Sequence, residues 1–132
     1  MQLRISPELH EIVGYARDEA MRTGSYSIGT DHLFLGILRH GDNGACRCLS
    51  SLGVNLEDFK ACLDRNTISG ELISYSEIDK VEFSRLCQNA LNLTILEATR
   101  SRSDTADSRH LLLALLSVGS TASRIMKDAG CT

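Results

Sequence analysis

Thr30-Asp31-His32-Leu33-Phe34-Leu35-Gly36-Ile37-Leu38 returns later in the chain as Ser108-Arg109-His110-Leu111-Leu112-Leu113-Ala114-Leu115-Leu116, an offset of 110 − 32 = 78 positions. The same offset carries Glu19, Ala20 and Arg22 onto Glu97, Ala98 and Arg100, Ile5-Ser6 onto Phe83-Ser84, and Gly41 onto Gly119. With one residue deleted after that glycine the offset becomes 77, and Ala45, Arg47 and Gly53 fall on Ala122, Arg124 and Gly130. Self-similarity at a fixed period marks a duplicated supersecondary unit. The chain therefore reads as repeat one over about 4–66, a connector over about 67–82 and repeat two over about 83–130.

Each copy predicts helices joined by short turns. Ser6 is a good N-cap with Pro7 at the first helical position, where its missing N–H costs nothing. Helix one then runs to about Thr23, with Leu9, Ile12, Val13, Ala16 and Ala20 forming one apolar stripe and Gly24 as the stop. Thr30 is expected to cap the second helix, whose Leu33, Phe34, Leu35, Ile37 and Leu38 point in nearly every direction and demand wrapping by neighbours. Gly36 weakens that helix by about 1 kcal/mol relative to Ala. Its counterpart is Ala114, so the position stays small in both copies, as close approach by another helix would require.

Further helices are expected over about 44–52, over about 56–65 with Asn55 as cap, over about 85–101, over about 109–118 and over about 120–129. In the connector, Leu72, Ile73, Tyr75 and Ile78 are apolar enough to pack on something. Ser76 with Asp79 could start a helix there, whereas the repeat places the cap at Ser84, and the repeat is followed. The fold class is thus all-α: two pseudo-symmetric repeats of about four helices each, the second truncated, about seven helices in total.

Composition narrows the function classes. With 132 residues, 42% hydrophobic and 23% charged, the chain is sized for one globular domain. Seventeen acidic against fourteen basic residues, net charge −3, force no cationic surface on a polyanion, so nucleic acid is not an expected partner. The longest apolar run, Leu33 to Leu38, falls far short of the roughly 20 residues a membrane span needs. Met1 to Pro7 lacks the apolar core of a secretory signal. Five cysteines (Cys46, Cys48, Cys62, Cys87, Cys131), odd in number, point to reduced thiols and a cytoplasmic location.

The helix ending in Glu19-Ala20, the stretch Gly29 to Gly36 and the turn Leu52-Gly53-Val54 together resemble the Clp N-terminal domain of the Clp/Hsp100 AAA+ unfoldases. The resemblance covers about 4–130 and rests on two copies matching in order and spacing. It implies a recognition module, tethered beside an ATPase ring, that receives unfolded or tagged protein substrates and adaptor proteins and passes them to the pore. In the ClpC-like branch, the polar cap of the first helix and an acidic residue in the Gly-Thr-Glu-His stretch help form a pocket for phosphorylated arginine in each repeat. By position the resemblance implies Ser6 and Asp31 in copy one, and Ser84 and Arg109 in copy two. A carboxylate pairs with a guanidinium through two charge-assisted hydrogen bonds, whereas an arginine in that place repels it and would favour an acidic or phosphorylated partner.

The residues themselves also carry plainer readings. Asp31 in a first helical turn stabilises its helix by about 0.3–1 kcal/mol without any ligand, and Ser6 and Ser84 are sufficient as N-caps. His32 and His110 read as structural histidines near helix ends, without ligand spacing for a metal. Cys46 and Cys48 beside His40 lack the two-residue spacer of zinc sites, and Cys48 falls on Ile125 in the repeat, which predicts a core position. No phosphate-binding glycine loop and no nucleophile elbow is present, so catalysis and cofactors are not expected. The competing reading is a structural or self-association module that has kept the fold and lost ligand binding.

Overall fold

Two serines, repeat-equivalent, start the two longest helices in the same way. In the computed structural model, which describes residues 4–68 and 70–118, the Ser6 hydroxyl accepts the Leu9 N–H at 3.0 Å and opens α1 (Pro7–Arg22). Ser84 accepts the Cys87 N–H at 3.1 Å and opens α5 (Arg85–Arg100). Leu9, Ile12, Ala16 and Ala20 are buried along α1, and Val13 packs half-buried beside them. Gly24 has φ +81°, and a Cβ there would stand 2.5 Å from the Gly70 carbonyl carbon, so both conformation and space demand glycine.

Helix α2 (Thr30–His40) occupies the centre, with Leu33, Phe34, Leu35 and Ile37 all fully buried. It is wrapped by α1, α3 (Gly44–Ser51), α4 (Leu56–Thr67) and α5. Gly36 lies where α1 crosses: a Cβ at this position would stand 2.6 Å from the Ile12 carbonyl oxygen. Close approach by another helix is thus the reason for the glycine.

Capping of α2 differs from expectation. Gly29, in extended conformation, is the N-cap, and Thr30 is already helical. Gly29 has no side chain to cap with, so the reciprocal contact comes from His32, whose Nδ1 accepts the Gly29 N–H at 2.9 Å. The repeat preserves this device at α6 (Ser108–Val118), where the Asp107 N–H donates to His110 Nδ1 at 3.0 Å. A residue at the third helical position reaching back to the cap is the logic of a capping box, here performed by imidazole rather than by Glu or Gln.

Accepting at Nδ1 leaves the His32 proton on Nε2, 3.1 Å from Thr23 Oγ1. Burial pushes the imidazole pKa below its ordinary 6.5; Glu19 opposes that shift and Arg22 adds to it. The unfolded chain therefore binds the proton more readily than the folded one. Stability is full above about pH 6.5 and falls as pH drops through that value toward the lower folded pKa. Denaturant midpoints are expected to decline from pH 7 to 5.5, and His32→Gln, which can still reach back to the cap, should flatten the slope. An unchanged slope in that variant would refute the assignment.

The described residues also include four two-residue strands, which the helical reading of the sequence does not contain. Strand β1 (Arg4–Ile5) pairs in parallel with β4 (Thr105–Ala106), and β2 (Ser27–Ile28) with β3 (Glu82–Phe83). Under the repeat offset β1 corresponds to β3 and β2 to β4, so each copy lends its first strand to the second strand of the other. Two residues are too few for alternation to register in a sequence. The connector also departs from expectation, because Ser74 caps a 3-10 helix over Tyr75–Lys80 while Ser84 still caps α5. Ile73 is buried and Ile78 packs on the core, but Leu72 and Tyr75 are largely exposed. The helix expected over about 120–129 lies outside the described residues.

Candidate functional site

The strand exchange brings three helix starts together. The Ser6 N–H donates to the Ala106 carbonyl at 2.9 Å, which sets the head of α1 beside the head of α6. Glu8 Oε1 accepts the Ser108 N–H at 3.1 Å, and Ser108 Oγ accepts the Ala45 N–H at 3.1 Å, so α3 is tied in as well. Between them lies an open cleft of about 510 Å³, whose lining includes Ser6, Glu8, Arg47, Cys48, Asp107 and Arg109.

The charges in this cleft are ordered. Asp107 Oδ1 accepts the Arg109 N–H at 2.9 Å and its Nε–H at 3.3 Å, and Oδ2 accepts from Nη2 at 3.0 Å. Partial burial works against the Asp107 charge, but the Arg109 hydrogen bonds outweigh it and hold the carboxyl below its ordinary range. The Arg109 stem lies over Gly44, where a Cβ would meet Cγ at 2.7 Å. Arg47 Nη1 donates to Asp42 Oδ1 at 3.2 Å.

Of the four site residues named from the sequence, Ser6 and Arg109 share this cleft, although they belong to different copies. Ser84 and Asp31 are not among its lining. The Ser84 N–H donates to Ile28 at 2.9 Å, three residues before Asp31, which sits half-buried in the first turn of α2. The cross-copy strand pairing thus sets the head of α1, with Ser6, beside the head of α6, with Arg109. Sequence reasoning also missed Glu8, Arg47, Cys48 and Asp107 as lining. Cys48 is exposed rather than in the core, because the buried stripe of α3 is Ala45, Cys46 and Leu49, and position 48 lies on the other side.

The thiols and histidines singled out as metal candidates are dispersed. Cys46 is buried, donates to the Ile37 carbonyl at 3.4 Å, and has its pKa raised by burial. Burial pushes the Cys87 thiol up to about 12. His40 faces Glu11 at 3.2 Å and Asn43 at 3.1 Å. Among the described residues no group of three or more His, Cys, Asp or Glu could hold a metal ion, and no helix is long and apolar enough to cross a membrane. The Ser6 hydroxyl is engaged as a helix cap, and no histidine lines the cleft.

A second concavity of about 210 Å³ runs between α1 and α5, lined by Ile5, Leu9, Val13, Phe83, Leu91 and Ile95 among others. Ile5 and Phe83, like Val13 and Leu91, are repeat-equivalent, so this apolar groove draws matching residues from both copies.

The family model of the Clp repeat N-terminal domain matches residues 4–131. The chain belongs to this Clp N family. It is 28% identical over 128 residues, 96% of its length, to the chloroplastic chaperone protein ClpC1 of Arabidopsis thaliana, and 25% identical over 128 residues to ClpC/MecB of Bacillus subtilis, a negative regulator of genetic competence. It spans only 14% and 15% of those two relatives. Its fold matches the N-terminal domain of the chaperone ClpD from Arabidopsis thaliana with a TM-score of 0.75 at 15% identity, covering 98% of this chain and 86% of that one. The Hsp104 N-terminal domain of Candida albicans gives 0.81 at 16%, covering 98% and 83%. The Clp N assignment agrees with the helical two-copy architecture.

Proposed function

We propose that this chain acts as one Clp N-type unit that recognises proteins, holding substrate or adaptor segments for a Clp AAA+ unfoldase, and carries no catalysis of its own. The observation that supports this reading most is the cleft assembled from both copies at the heads of α1, α3 and α6. Its open, charged lining suits an extended polypeptide, and the apolar groove between α1 and α5 can receive hydrophobic side chains of an unfolded segment. Titrating the domain with unfolded protein, unmodified and arginine-phosphorylated, tests the reading. Saturable binding is expected; negligible binding of both would eliminate it.

Self-association is favoured by a different feature. Leu113 is 48% exposed on α6, whereas its counterpart Leu35 is fully buried. Sedimentation velocity separates the readings, since a module that only self-associates forms dimers and takes up no unfolded protein.

A further inference from the structure

We propose that the cleft at the head of α1 selects polypeptide segments bearing negative charge, with Arg47 and Arg109 as the selecting residues. This deepens the recognition reading and rests on it. The carboxylates of the cleft are already engaged: Asp107 is 24% exposed and holds Arg109 through both oxygens, and Glu8 accepts from the head of α6. The guanidiniums face outward instead, Arg47 at 68% and Arg109 at 61% exposed. An incoming segment therefore meets Arg109 before Asp107, and meets Arg47 beside its exposed partner Asp42.

Both arginines also have capacity to spare. A guanidinium carries five N–H donors; Arg109 spends two on Asp107, and Arg47 spends one on the exposed Asp42. An ion pair as exposed as Arg47–Asp42 is worth little, so a ligand anion can replace it. Arg109 is also held in place, by Asp107 at its head and by Gly44 beneath its stem, which reduces the ordering that binding must impose. The repeat-equivalent of Arg109 is Asp31, of opposite charge, so the preference belongs to one of the two equivalent positions.

The test uses fluorescence anisotropy with unstructured peptides of equal length: glutamate-rich, phosphoserine-bearing, glutamine-rich and lysine-rich. A chemically unfolded polypeptide of near-zero net charge is titrated alongside them. The glutamate and phosphoserine peptides are expected to bind at least on the order of tenfold more tightly than the other two, an advantage that shrinks in high salt. Comparing those two peptides tells carboxylate from phosphate as the preferred anion. The Arg47→Gln/Arg109→Gln double variant should lose the advantage while retaining its denaturant midpoint, and Arg65→Gln, outside the cleft, should keep it. Equal binding of acidic and neutral peptides, or a preference that survives in the double variant, would overturn the charge selection alone. No binding of any probe, including the unfolded polypeptide, would overturn the recognition reading as well.

Discussion

Phe34→Ala is expected to lower the free energy of unfolding by about 3–5 kcal/mol, the range for truncating a fully buried aromatic side chain. Phe34 has no exposed surface, and its ring meets that of Phe59 edge-on, with centroids 5.6 Å apart and planes at 76°. Truncation removes the transfer free energy of the ring, leaves a cavity in the middle of α2, and deletes an aromatic pair worth a further ~0.5–1.5 kcal/mol. Against a total stability of about 5–15 kcal/mol for a domain of ordinary size, the loss is a large fraction. It also has a direction. Only Phe59 and Leu63 of α4 are buried, so that helix depends on Phe34 more than α1 or α5 does. Urea unfolding should show the extrapolated free energy of unfolding falling by the stated amount, and hydrogen exchange should show α4 amides losing protection ahead of those in α5. A loss below about 1 kcal/mol would mean that neighbouring side chains collapse into the vacated space.

What was legible beforehand and what was not divide along a physical line. The caps at Ser6, Ser84 and Asn55, the stripe on α1, the all-round burial of α2 and the small residue at position 36 depend on neighbours within a turn or two, and periodicity exposes them. The repeat predicted equivalence but not partnership. Equivalent segments can pair within a copy or exchange between copies, and only tertiary packing decides, as in the Glu8 contact to Ser108 across 100 positions. Hence Ser6 and Arg109 were each named, while their meeting in one cleft was not. A hydroxyl at a helix start is the commoner capping signal and points to Thr30, whereas His32, three residues after Gly29, makes the real contact. The shifted alignment puts Cys48 in the core, but the local period of α3 turns it outward, and local period is the stronger constraint on a short helix.

Repeat equivalence also supplies a matched control for the second large effect. Glu19→Ala is expected to destabilise the fold by about 2–3 kcal/mol, and Glu97→Ala by well under 1 kcal/mol. Glu19 is buried, accepts from Arg22 Nε at 2.7 Å and faces Arg39 at 3.8 Å. Arg22 in turn donates to Asp64 at 2.7 Å, and Lys60 reaches the other Asp64 oxygen at 3.0 Å, so the chain of charges fastens the end of α1 to α4. Burial disfavours the Asp64 carboxylate, but the hydrogen bonds from Arg22 and Lys60 prevail and hold its pKa below the ordinary value. Removing Glu19 leaves Arg22 facing a partly desolvated gap. Breaking a fully buried pair costs about 3–5 kcal/mol; Arg22 is 37% exposed and can recover some hydration, which brings the figure down. Glu97 contacts Arg100 at 3.4 Å, and that arginine is 68% exposed, so its ion pair is of the weak surface kind. Denaturant midpoints of the two alanine variants, with Glu19→Gln to separate lost charge from lost volume, decide the matter: similar losses at both positions would show that the Glu19 network does not fasten α1 to α4.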